Sequence, residues 1–160
     1  MKSNSAGAAW FALMLSFVST VLNIINALHA RRTILAYSLH RGNVEVDANE
    51  ENYDVEHDGL AYVRALTITV TNQGQRPVTI RKAKCLYKAR RPKGETFDGT
   101  GHASNTIKIG AGEIAELDVK LSGRYTIEKL CSVEVYDSVD KRWLVGDKKI
   151  AEFNAKGPWK

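Results

Sequence analysis

The sequence predicts a mainly β protein: one N-terminal transmembrane α-helix followed by an antiparallel β-sandwich of about seven strands. Three observations carry this expectation. Residues 6–28 contain no charged side chain. From residue 33 onward the apolar period changes from helical to two. Clusters of Gly, Pro, Asn and Asp then separate the alternating segments, as turns separate the strands of a sandwich.

The helix comes first, behind a short tail of residues 1–5. Trp10, Phe11, Leu13, Met14, Leu15, Phe17, Val18, Val21, Leu22, Ile24, Ile25 and Leu28 supply its apolar mass. A helix over residues 6–28 rises about 34 Å, enough for a hydrocarbon core of about 30 Å. A cleaved signal peptide is the competing reading. It requires a basic leader, a shorter apolar core and a small-x-small cleavage site. Only Lys2 precedes the apolar run, and Asn26-Ala27-Leu28 and Ala30-Arg31-Arg32 are poor cleavage sites.

Within this segment Ala9, Ala12, Ser16, Ser19, Asn23, Asn26 and Ala30 recur at alternating spacings of 3 and 4, a heptad stripe along one face. Hydrophobicity does not drive helices together in lipid. Small residues that permit close approach do, as do amides that hydrogen-bond across the contact. The stripe therefore predicts a helix-association seam, in a homo-oligomer or against a membrane-protein partner. The plainer alternative is a lone helix whose Asn23 and Asn26 are satisfied near one interface. Lys2 lies on one side of the span, with Arg31, Arg32 and Arg41 on the other. The positive-inside rule then places the C-terminal domain in the cytoplasm.

The soluble domain is expected over residues 33–153, with 154–160 as a C-terminal tail. Thr33–His40 reads as a strand with Leu35, Tyr37 and Leu39 on one face. Residues 42–59 read as an acidic loop. Ala61–Thr71 alternates Tyr62, Arg64, Leu66, Ile68 and Val70 against Thr67, Thr69 and Thr71. Residues 72–77 are turn chemistry, with Gly74 expected at positive φ. Val78–Tyr87 follows, and the parity shift between Ile80 and Ala83 predicts a bulge near Arg81–Lys82. Arg90–Ser104 reads as a Gly-rich loop. Strands are expected at Thr106–Ile109 and Ile114–Leu121, the second with Leu117, Val119 and Leu121 inward, about a turn at 110–113. Gly123–Lys129 is a turn. Cys131–Tyr136 and Arg142–Val145 flank a hairpin turn at 137–141, and Ile150–Phe153 is a candidate edge strand.

The net charge of +5 hides two opposed blocks. Residues 45–58 hold seven acidic residues and no Lys or Arg, whereas residues 76–93 hold eight basic residues and no acidic one. The run Arg81, Lys82, Lys84, Lys88, Arg90, Arg91 and Lys93 has three readings. One is intrachain neutralisation by the acidic block. One is contact with anionic lipid or an acidic partner near the membrane. The last is nucleic acid, for which only Tyr87 interleaves the run as a stacking aromatic. Cys85 and Cys131 read as small buried side chains; a disulfide requires an oxidising compartment.

No GxSxG elbow, phosphate-binding GxxxxGK[ST] loop or HExxH helix occurs. His57 stands among Asp54, Glu56 and Asp58, a spacing that fits no known cation loop. Asp137 and Asp140 read as turn formers. The expectation is therefore not an enzyme, with no catalytic residue, cofactor or metal.

Thr69–Lys82, TVTNQGQRPVTIRK, and Val133–Val145, VEVYDSVDKRWLV, together with the apolar helix, the Arg31-Arg32 flank and the Gly112-Glu113 turn, resemble a known architecture. It is that of small, functionally uncharacterised bacterial and prophage proteins with one N-terminal transmembrane helix and an immunoglobulin-like β-sandwich. The common pattern carries Gly in the turn of the second segment, where this chain has Asp140. The resemblance implies an immunoglobulin-like fold and a bacterial inner-membrane location, with the periplasmic orientation as the alternative to the cytoplasmic one. It implies no activity. The function expected is a membrane-anchored protein-interaction or scaffold module. The alternatives are an accessory subunit of a larger membrane complex and a phage- or defence-related membrane effector.

Overall fold

The computed structural model describes residues 4–30, 33–46, 55–57, 60–121 and 123–159. Helix α1 spans Asn4–Ala30. Nine strands follow: β1 Leu35–Val46, β2 Val55–His57, β3 Leu60–Asn72, β4 Val78–Arg90, β5 Thr96–Ala103, β6 Ile107–Ile109, β7 Ile114–Lys120, β8 Thr126–Asp137 and β9 Arg142–Leu144. Helix α2, Asp147–Asn154, comes after them. The strands make one antiparallel sheet in the order β1-β3-β7-β5-β4-β8-β9, with β2 also on β3 and β6 also on β4. The path is open, ending at β1 and β9. It is thinnest between β5 and β7, where one residue pair, His102 opposite Lys120, joins the two groups of strands.

The alternation read from the sequence sets the core. Leu66, Ile68 and Val70 of β3, and Leu117 and Val119 of β7, share a single cluster with Ile80, Ala83, Cys85, Tyr87 and Ala89 of β4 and with Val133 and Val135 of β8. Leu35, Tyr37 and Leu39 of β1 pack on the same cluster. The expected bulge is present: Ile80 pairs Asp137 and Lys82 pairs Tyr136, leaving Arg81 as the extra residue. It switches the inward parity of β4 from even positions to odd ones, so both halves of the strand still feed the core.

Several segments differ from expectation for identifiable reasons. Residues 42–46, expected in a loop, continue β1, because Val44 and Val46 pair along β3. Val46 joins Ala61 and Val63 in a second small cluster. The acidic residues 47–54 and 58 lie outside the described residues. Residues 96–103 form strand β5. Its glycines permit packing: a Cβ on Gly99 would lie 2.3 Å from the Tyr87 ring, and one on Gly101 would lie 2.6 Å from Leu121 and 2.9 Å from Cys85. Ile150–Phe153 is helical, since Ile150 and Phe153 at i,i+3 face the core from α2.

The expected tail also packs. The outer edge of β8 is covered piece by piece by the C-terminal chain. Strand β9 pairs Glu134–Tyr136, the Val145 N–H donates to the Val133 carbonyl (3.0 Å), and Trp159 bridges Ile127 in both directions. Between these, the Asn154 side chain donates to the Leu130 carbonyl (2.9 Å) and accepts from its N–H (2.8 Å), as a strand backbone would. A covered edge cannot recruit a foreign strand.

Asn72 ends β3 and is fully buried. Its Nδ2 donates to the carbonyls of Arg76 (2.7 Å) and Ile109 (3.2 Å), and its Oδ1 accepts from the Gly74 N–H (3.0 Å). Gly74 is thus held by an Asx turn and is not among the glycines at positive φ. The Asn72 backbone accepts from Gly112 and donates to Glu113. Substituting Asn72→Ala strands two buried carbonyls and an N–H. The expected cost is about 2–3 kcal/mol in denaturant unfolding of the full chain in detergent. Asn43→Ala, on the exposed side of β1, is expected within about 0.5 kcal/mol of the parent.

Candidate functional site

The stripe residues Ala9, Ala12, Ser16, Ser19, Asn23 and Asn26 all lie on α1 and are exposed, as are the apolar residues of its other faces. The segment Ala9–Leu28 is long and apolar enough to cross a membrane, and none of it is buried by the β domain. Thr20 Oγ1 donates back to the Ser16 carbonyl (2.8 Å), satisfying its own hydroxyl within the helix.

The basic run lies along β4 and the turn after it. Behind the bulge, Lys82, Lys84, Lys88 and Arg90 alternate outward, with exposed Leu86 among them; Arg91 and Lys93 sit on the turn. The run is a line, since Lys82 and Arg90 are eight residues apart, about 26 Å at strand rise. A Debye length of about 8 Å at physiological salt screens one end from the other. Carboxylates are interspersed. Arg90 pairs Glu128 (2.6 Å), Arg91 pairs Glu95 (3.4 Å), and Arg81 approaches Asp140 (3.9 Å). Lys84 stands opposite Glu134, and Lys88 opposite Asp98. Lys82 Nζ lies 4.5 Å from the Tyr136 ring centroid. These local partners do for the run what the acidic block was expected to do.

Tyr87, the aromatic that a nucleic-acid reading needs, is turned inward. Its hydroxyl hydrogen-bonds that of Tyr125 (2.6 Å), and the two rings stack at 5.8 Å. Phe97 meets Tyr125 edge-on at 5.2 Å. Arg64, nine-tenths buried, donates to the carbonyls of Tyr125 (2.7 Å), Gly123 and Trp159 (3.3 Å), with its guanidinium 5.1 Å from the Tyr125 ring centroid. The sequence held one signal of this cluster: Arg64 stands at an inward position of the β3 alternation. Arg41 plays a similar part on β1. It donates to the carbonyls of Gly157 and Pro158 and lies over the rings of Phe153 and Trp159. It is therefore held by the fold.

Asp137 is a turn former, as expected. Its Oδ1 accepts from the N–H groups of Val139 (3.0 Å) and Lys141 (2.9 Å), and its Oδ2 from Trp143 Nε1 (3.3 Å). Asp140 has φ 57°, the left-handed conformation that Gly would supply, which Asp tolerates better than most residues. His102 lies between Lys84 and Lys120 in the sheet. No cluster of metal-ligating side chains occurs among the described residues. The group around His57 falls largely outside them. A recess of about 140 Å³ lies between Ser38–His40 of β1 and Lys149, Glu152, Phe153 and Lys156.

Cys85 is buried and Cys131 exposed, and both are free. The expectation of two buried thiols therefore holds for Cys85 alone; Cys131 projects outward from β8. Burial pushes the Cys85 thiol up from its ordinary 9.0 to about 11. A thiol reagent at neutral pH is expected to modify Cys131 alone in the native chain and both cysteines after denaturation. The neutral Cys85 thiol contributes fully below pH 9, where folded and unfolded chains bind the same proton. Its contribution is lost as pH rises toward 11, because the unfolded chain ionises first. Tyr37 and Tyr87 are raised in the same direction by burial. Alkaline unfolding followed by fluorescence is expected to begin at higher pH in Cys85→Ala than in the parent.

No family model matches the chain, and no curated protein matches it. Among solved structures, the X-ray structure of Northeast Structural Genomics Consortium target SoR45 is similar over 69% of this chain and 80% of its own, at 11% sequence identity and a TM-score of 0.37.

Proposed function

We propose that the protein is a single-pass membrane-anchored interaction module, held by α1 and presenting a β-sandwich of immunoglobulin-like type. One observation carries the anchor: a 20-residue apolar stretch, Ala9–Leu28, with no part of it covered by the rest of the chain. A soluble protein that exposed this surface would aggregate; a bilayer solvates it. Support for a sandwich comes from the two groups of strands, which meet at one residue pair while their inner faces share one core. A shared core between two groups of strands favours two layers packed face to face.

Within the membrane, the stripe from Ala9 to Asn26 is the face offered to a second helix. The partner is another copy of the chain or the span of a larger assembly. The Arg31-Arg32 flank favours a cytoplasmic domain. Interaction, and not catalysis, is the reading of the domain: its buried polar groups Asn72, Arg64 and Asp137 are engaged in holding turns and strand ends.

The full chain expressed in bacteria is expected to stay with the membrane fraction after an alkaline carbonate wash. Its release into the supernatant would overturn the anchor. Substituting Asn23→Leu with Asn26→Leu removes two amides worth about 1 kcal/mol each across a helix contact. A clear loss of cross-linked oligomer, or of the co-purifying membrane protein in mild detergent, is expected. Unchanged assembly would rule out the seam.

A further inference from the structure

The end of the sheet at which the chain arrives from α1 differs from the rest of the domain surface. The Ile34 carbonyl accepts from the Gln73 N–H (2.8 Å), so the chain is already docked four residues after Ala30. Two helical residues beyond Leu28 and four extended ones reach at most about 17 Å from the end of the span. Three turns share this end: residues 73–77, 110–113 and 138–141. Asn72 ties the first two together, and the Ser138 N–H donates to the Thr79 carbonyl beside them (2.8 Å).

Among the described residues of the domain, this end carries the two most exposed large apolar side chains, Val139 at 79% and Ile114 at 64%. Val139 is the more telling of the two. Turn tips select Gly, Asn, Asp, Ser and Pro, and a β-branched residue contributes nothing to such a turn. The Val139 side chain takes no part in this turn, which is built by backbone N–H groups donating to the Asp137 carboxylate and by the left-handed Asp140. The result is a braced loop that holds an apolar side chain out into its surroundings. Arg76 and Lys141 lie on the turns of this end, Arg81 reaches Asp140 beside Val139, Lys108 of β6 pairs Thr79, and all four are exposed. Of the carboxylates at this end, Glu113 accepts from the Gly110 N–H (2.6 Å) and Asp140 faces Arg81. Apolar tips ringed by long cations are the composition of a surface that enters the headgroup layer.

We propose that this end of the domain seats on the membrane that holds α1, with Val139 and Ile114 entering the boundary between headgroups and acyl chains and Arg76, Arg81 and Lys141 facing anionic headgroups. This rests on the anchor proposed above. It also divides the basic run. Arg81 belongs to the seated end. Arg90, Arg91 and Lys93 stand at the far end of β4, twelve or more residues from Val78 and about 40 Å away at strand rise, beyond the reach of the surface potential. The lipid contact is thereby moved from the run as a whole to the turns next to the span.

The test uses the full chain in vesicles of phosphatidylcholine and phosphatidylglycerol. In a Cys131→Ser background, the buried Cys85 does not label, and Val139→Cys, Ile114→Cys and Leu144→Cys each place one environment-sensitive fluorophore at an exposed position. The fluorophores at 139 and 114 are expected to shift to the blue and to be quenched by nitroxides on the lipid chains. The one at 144, exposed on β9 opposite Glu134 and three residues in from the 138–141 turn, is expected to be quenched by aqueous iodide. Iodide quenching at 139 and 114, in a chain that still resists a carbonate wash, overturns this inference and leaves the anchor standing. Protection from both quenchers places protein there and overturns it equally. Release by carbonate overturns the anchor, and this inference with it.

Discussion

The 73–77 and 110–113 turns, at the end of the domain where the chain arrives from α1, depend on Asn72. A buried amide has two donors and two acceptor sites, and leaving any of them without a partner in a dry interior is costly. Here one amide satisfies the carbonyls of Arg76 and Ile109 and the N–H of Gly74, while its own backbone pairs with the 110–113 turn. Strands β3, β4, β6 and β7 therefore begin or end against a common polar centre. The neighbouring Gln73 N–H takes the Ile34 carbonyl, so the chain leaving α1 joins the same framework.

The opposite end is organised by a different device, cations with aromatic rings. Arg64 and Arg41 each donate to backbone carbonyls of the 123–125 turn or of the C-terminal chain, and each lies against aromatic rings. A guanidinium suits this role, since its planar fork donates in several directions and its faces stack. Through these contacts the C-terminal chain is fastened to β1 and β3, and through Asn154 and Trp159 it is fastened to β8. The last residues thus serve as edge protection and not as a tail. An unprotected twelve-residue β8 beside a membrane tether would offer a ready template for intermolecular pairing.

Charge does less than its distribution suggested. On β4, Arg81 and Arg90 meet carboxylates, Lys82 meets the Tyr136 ring, and Lys84 and Lys88 stand opposite Glu134 and Asp98; exposed pairs of this kind contribute little energy. What distinguishes one part of this surface from another is distance from the span. The short connection after Ala30 keeps a few turn residues close to α1 and leaves the far end of β4 remote from it.

Features that depend on local periodicity were legible in the sequence. An uncharged run of membrane length, the alternation in β3, β4, β7 and β8, the bulge at Arg81 and the Asp137 turn each express a repeat or a turn preference contained within about a dozen residues. Asp140 in place of Gly was visible as well, and its positive φ shows how the turn accepts it. Features that depend on what lies across the core were not legible. Gly99 and Gly101 signal a loop in sequence; only the rings and methyl groups pressed against them make β5 a strand. Tyr87 looked available for stacking until its inward parity and its bond to Tyr125 removed it. Ile150 and Phe153 suit an edge strand or a helix, and the gap between β1 and β8 decides for the helix. The sequence by itself determined a helix long and apolar enough to cross a membrane and the alternating strands, because those follow from periods read along the chain. The tertiary structure alone decided which residues share a surface beside the span, because Val139, Ile114 and Arg76 are joined only through hydrogen bonds between distant turns.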